Sequence, residues 1–236
     1  MALVGVTAIW SSVSGAVLDY LRPGMRVWVA VAGAVLVLVA VTELWRGRND
    51  PAERGHGSKV GWLVALPICV AVTVGSGSLG VYAVGRNATY RDLPDAPTAF
   101  DLEQYVRTHS IGGQPVELTL VDFVAAVSTE EGRAVLAEHP VELVGFVSRD
   151  DETGAVNLTR FVISCCAADG AAVRVQLVSS EELPSDGTWL RVVGTVGAPA
   201  RSEGGTEQPD PAIEVDTRQA IDEPELPYEV PVSRIR

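Results

Sequence analysis

Charge is absent from three stretches of this chain, residues 2–18, 27–42 and 60–84. A helix needs about 20 apolar residues to cross the hydrocarbon of a bilayer. The third stretch has twenty-five. The second reaches that length if Arg26 and Glu43 lie at the two interfaces. The first is rich in Ser, Gly and Ala and runs up to Asp19. The pattern predicts three helices, at about 2–21, 25–45 and 60–84. Arg22-Pro23-Gly24 interrupts the first pair, because proline and glycine stop helices. The polar run 46–59, with Pro51 and Gly55, separates the second from the third. Trp28, Trp45 and Trp62 fall near the expected interfaces, where an indole keeps its ring in lipid and its N–H in water.

The charges left out of these stretches are segregated along the chain. Residues 1–86 carry seven basic and four acidic side chains, and residues 87–236 carry eleven and twenty-six, within a whole-chain net charge of −12. Front and back therefore have different solvents: 1–86 reads as a membrane anchor and 101–236 as an acidic aqueous domain, joined by a linker at 87–100. An acidic domain repels phosphate, which excludes a nucleic-acid grip. Three cysteines cannot build a disulfide framework. No basic residue precedes Arg22, and a signal peptide needs a positive n-region. The 46–59 loop holds Arg46, Arg48, Arg54 and Lys59, so the positive-inside rule sets it in the cytoplasm. The chain is then a multi-pass plasma-membrane protein with its lipid-embedded part first and its C-terminal domain extracytoplasmic.

Within the anchor, GSGSLG at 75–80 matches the dinucleotide pattern GxGxxG. That motif works only between a strand and a helix of a soluble βαβ unit. Inside an apolar span, Ser76 and Gly80 read instead as a small-residue face for helix contact. Cys69 reads as an apolar filler.

In the acidic domain, residues 121–127 have helical character. Ser128-Thr129-Glu130-Glu131 is a capping-box pattern opening a second short helix to about Ala137, and His139-Pro140 ends it. The period then becomes two. Strands are predicted at 141–147, 156–165, 172–178, 189–196 and 213–221, separated by turn residues. Five half-buried strands at this spacing, with Gly145 and Gly194 inside them, predict a small OB-like β-barrel over about 140–228. The fold class is thus membrane α plus a small β-barrel.

The chemistry-bearing residues are few. Cys165 and Cys166 are adjacent, and Asp169 follows three residues on. Neighbouring side chains on a regular strand point to opposite faces, so two thiolates on one ion need the backbone to turn at 165–166. Zinc accepts S, N and O donors, four in a structural site and three plus water in a catalytic one. Cys165, Cys166 and Asp169 supply three, and His109 and His139 are the only histidines on the same side of the anchor. The cofactor would be zinc or another transition metal. Two other roles stay open for the pair: core packing with Asp169 holding local amides, or a vicinal thiol–disulfide couple. No G-x-S-x-G, HExxH or P-loop occurs, and the acidic clusters fall in turns. The expectation is a chain without catalytic residues.

Four pieces of text resemble one family. They are YLRPGMR at 20–26, VELVGFVSRD at 141–150, RFVISCCAADG at 160–170 and IDEPELPY at 221–228, with WLRVVGTV at 189–196 beside them. Together they resemble the YcgQ-like family of bacterial membrane proteins, described as permease subunits. The resemblance implies a non-catalytic accessory subunit whose partner is a separate multi-pass permease. The extracytoplasmic domain would gate that permease or present it with a solute or metal ion. An extracytoplasmic thiol redox protein and an envelope scaffold are the alternatives.

Overall fold

A computed structural model describes residues 2–49, 78–84, 86, 101–110, 113–151, 153–198 and 210–229. The chain divides into two compact units, residues 1–78 with 165–167, and residues 79–164 with 168–236.

The first unit is built on a helical hairpin. Helix α1 is Ala2–Ser14 and α2 is Arg26–Asn49. The predicted first helix is cut short: Gly15 sits at φ 88°, the left-handed region glycine reaches without cost, and a 3-10 turn follows at Ala16–Asp19. Thirteen residues rise only about 20 Å, less than a bilayer core. Among the described residues one helix, Pro23–Arg46, is long and apolar enough to cross a membrane by length and composition. The hairpin closes tightly through glycines. A Cβ on Gly5 would lie 2.6 Å from the Gly33 carbonyl oxygen, and one on Gly33 would lie 2.8 Å from that of Gly5. Arg26 caps the end of α1, its Nε donating to the Ser12 carbonyl and its Nη2 to that of Val13 at 3.0 Å. A cation on the last carbonyls of a helix satisfies groups that the helix cannot. Residues 165–167 join this unit by backbone pairing: Ala167 N–H donates to the Tyr20 carbonyl at 2.7 Å and Arg22 N–H to that of Cys165 at 3.2 Å.

The predicted third helix and the linker fall largely outside the described residues. Of the predicted helix, residues 78–84 are described: Ser78, Leu79 and Gly80 are not helical, and α3 is Val81–Val84. Cys69, Trp62, Ser76 and the loop 50–59 lie outside the described residues.

Among the described residues the second unit is a seven-stranded sheet with four helices, the short α3 among them. After α4 (Leu102–His109) come β1 (Val116–Glu117), α5 (Leu120–Val127) and α6 (Glu130–Ala137). The remaining strands are β2 (Val141–Arg149), β3 (Val156–Val162), β4 (Ala171–Val178), β5 (Trp189–Gly197), β6 (Ala212–Ala220) and β7 (Tyr228–Glu229). The sheet order is β1-β2-β5-β6-β4-β3-β7, and β2 also pairs with β3. Five strands therefore close a ring. Its pairs are antiparallel except β4–β6, which is parallel over Gln176↔Ala212 to Val178↔Glu214. The two-residue strands β1 and β7 extend it in parallel on β2 and β3.

The core fills the ring and the space under the helices. Leu120, Phe123 and Leu136 come from α5 and α6, and Leu143, Leu158, Val175, Leu190 and Ile213 from the strands, all buried in one cluster. Alternation on β2 puts Val141, Leu143 and Val147 into it. The ring's tight places are the two strand glycines. A Cβ on Gly145 would lie 2.8 Å from the Thr159 carbonyl oxygen, and one on Gly194 only 2.0 Å from that of Glu214. The β5–β6 register slips between Val193 and Gly194, a bulge where the strand bends.

Gly194→Ala must push β6 away from β5. The expected loss is about 1–3 kcal/mol, read as a lowered thermal midpoint of the full-length chain. Gly24→Ala, where nothing lies within 4 Å, is expected to change stability by less than about 0.5 kcal/mol. Equal midpoints for the two variants contradict the ring closure described.

Candidate functional site: the cysteine loop and a buried carboxylate

The β3–β4 connection carries the chemistry. β3 ends at Val162, three residues before the predicted end at Cys165. The cause is local. Asp169 Oδ1 accepts the Ser164 N–H at 2.8 Å. This draws the chain out of extended geometry, and a 3-10 turn follows at Ala167–Asp169. Asp and Asn side chains form such backbone-mimicking bonds readily. The turn at 165–166 that two thiolates on one ion require is therefore present.

Cys165 Sγ lies 3.6 Å from Cys166 Sγ. One donor atom each from Cys165, Cys166 and Asp169 lies within 4.8 Å of the other two, and the three could hold a metal ion. Cys165 and Asp169 are exposed and Cys166 is half-buried.

The histidines are engaged elsewhere. His109 Nδ1 lies 2.9 Å from the Tyr105 carbonyl oxygen, one turn back on α4, and its ring stacks on Tyr105 at 4.0 Å. His139 Nδ1 lies 3.3 Å from Ser110 Oγ. The C-cap of α6 is Glu138, and His139 follows it. Neither histidine joins the cysteine group.

A second arrangement has no counterpart in the sequence reading. Helix α5 begins with three N–H groups that lack an intrahelical partner. Thr119 Oγ1 accepts that of Asp122 at 3.1 Å. Glu229, from β7, takes the other two: Leu120 N–H to Oε1 at 2.7 Å and Val121 N–H to Oε2 at 3.0 Å. A carboxylate at a helix N-terminus also meets the positive end of its dipole. Across β3, Arg160 holds the segment before it, with Nε donating to the Pro227 carbonyl at 3.1 Å and Nη2 to that of Leu226 at 2.5 Å. The Arg160 guanidinium also lies over the Trp189 ring at 5.6 Å. Burial pushes the Glu229 pKa up from 4.5 to about 7, against the opposing pull of Arg160 and the two amides. Burial likewise lowers that of Arg160.

The distinctive text of the chain thus converges. Arg160-Phe161-Val162 lies beside Leu226 to Glu229, with Phe161 opposite Tyr228 and Val162 opposite Glu229. The signal that could have marked Glu229 is a lone carboxylate between Tyr228 and Val230. An acid in an apolar strand must find partners. The T-x-x-D of Thr119 and Asp122 is likewise a readable cap.

Residues 123–230 match the family described as the DUF1980 C-terminal domain. The function of that domain is unknown. The match is consistent with the YcgQ-like resemblance, and it contains both the cysteine loop and Glu229. No curated protein and no solved structure matches the chain.

The raised pKa of Glu229 fixes a sign. The unfolded chain releases this proton near 4.5 and the folded chain near 7. The stabilising contribution of this group is complete below the lower value and is lost as pH rises through the higher one, on the order of 3 kcal/mol. Denaturant melts at about pH 4.5 and pH 7.5 are expected to show a smaller pH-dependent loss in Glu229→Gln than in the wild type. An equal loss in both chains contradicts the assignment.

Proposed function

We propose that this chain is a membrane-anchored, non-catalytic accessory subunit of a permease, whose extracytoplasmic OB-like barrel binds a zinc-class metal ion at Cys165, Cys166 and Asp169. The observation that carries the metal reading is the meeting of two sulfurs and a carboxylate in one exposed loop. A tetrahedral ion with bonds of about 2.3 Å to sulfur sets its two sulfurs about 3.8 Å apart. The separation here is 3.6 Å. The Ser164 amide, bonded to Asp169, supplies the outer hydrogen bond that orients a ligating carboxylate.

The rest of the reading has separate supports. The one long apolar helix supports an anchor, and the lysine and arginine distribution favours an extracytoplasmic aqueous domain. The surplus of acidic side chains after residue 86 attracts cations toward the loop. Around the ring the strands run β2-β3-β4-β6-β5, a Greek-key order with one parallel pair, as expected of an OB-like barrel. The permease partner comes from the YcgQ-like resemblance.

The sulfur separation also favours one alternative, a thiol–disulfide couple of Cys165 and Cys166. Equilibrium dialysis of the full-length chain in mild detergent separates the two. The metal reading expects one zinc per chain, lost in Cys165→Ser/Cys166→Ser, with bound zinc protecting both thiols from alkylation. No zinc bound, with the two thiols oxidising to a disulfide, replaces it with the redox reading. Co-purification from the membrane under the same conditions is expected to bring down a multi-pass protein, and recovery of none contradicts the subunit role.

A further inference from the structure

We infer that the cysteine loop is an exchange site: it holds its ion through three donors and leaves the fourth coordination position to a donor from another molecule. The inference rests on the metal reading above and deepens it. Three observations carry it, and each concerns this loop alone.

The first is donor number. The group consists of two thiols and one carboxylate, and among the described residues no fourth His, Cys, Asp or Glu joins it. A structural zinc site is closed by four protein ligands, whereas three leave a position for water or an incoming group. The second is access. Cys165 and Asp169 are exposed and Cys166 half-buried, so an incoming donor reaches the ion without unfolding anything. The third is chain length. All three donors fall within five consecutive residues. Closing so short a loop removes little entropy from the unfolded chain. The ion therefore adds little to folding, and a site that stabilises little is suited to giving its ion up.

Charge agrees with this reading. Two thiolates and a carboxylate carry three negative charges, so a divalent ion leaves the loop at about −1. A neutral fourth donor, water at rest or an imidazole nitrogen in transfer, keeps that value. Transfer is then a ligand substitution in which the incoming lone pair bonds to the metal before a thiolate leaves. No electron is exchanged.

The test uses the full-length chain in mild detergent, loaded with Co²⁺ as a visible stand-in for zinc. Wild type is expected to show a thiolate-to-cobalt charge-transfer band that is absent in Cys165→Ser/Cys166→Ser, with Cys69 left in place. Imidazole is expected to shift the visible ligand-field bands in a saturable way. Release to a chelator is expected to speed up in proportion to chelator concentration. Loading is expected to leave the thermal midpoint nearly unchanged. A charge-transfer band with ligand-field bands indifferent to imidazole, and release independent of chelator, overturns the exchange inference while the metal reading stands. Absence of the charge-transfer band in wild type removes both.

Discussion

Closure of five short strands into a ring is the constraint from which the rest of the second unit follows. A ring this small bends its strands until backbones touch, and at Gly194 the carbonyl of Glu214 occupies the place of a side chain. Once closed, the ring fixes β3 on both sides, by β2 and by β4. A fixed β3 gives the connection after Val162 a rigid root. The loop carrying Cys165, Cys166 and Asp169 is shaped in part by the bond that the Ser164 N–H donates to Asp169 Oδ1.

β7 is fixed by polar contacts rather than by length. Two residues of parallel ladder are too little to hold a strand alone. Arg160 supplies the remainder at the Leu226 and Pro227 carbonyls, and Glu229 through the Leu120 and Val121 amides. Burying a carboxylate is costly unless its oxygens are bonded, and here both oxygens meet helix amides. The same group joins β7 to α5, whose apolar residues Leu120 and Phe123 lie in the ring's core. The β7 segment is thereby tied to the interior through polar contacts.

Much of this fold was legible. The starts of the five long strands fall within a residue of the expected positions. α6 is capped one residue later than the Ser128-x-x-Glu131 box implied: Thr129 Oγ1 accepts the Gly132 N–H at 3.0 Å, while Ser128 Oγ donates to the Ala125 carbonyl. What escaped was decided by contacts distant in sequence or by a single local bond. β1 and β7 are too short to show a period and exist because β2 and β3 offer them edges. α4 is mostly polar, LEQYVRTH, and only Leu102 and Val106 are buried. The first helix was overread because hydropathy does not register the left-handed turn at Gly15. Of the candidate ligands, the three close in sequence were brought together. The two histidines were not, since a lone histidine's neighbours are set by packing: Tyr105 for one and Ser110 for the other.

The chemistry of the loop comes from two adjacent sulfurs 3.6 Å apart. Zinc K-edge X-ray absorption on the zinc-loaded full-length chain tests this most directly. It is expected to show two sulfur neighbours at about 2.3 Å and lighter N or O neighbours at about 2.0–2.2 Å. A shell of oxygen and nitrogen alone would contradict it.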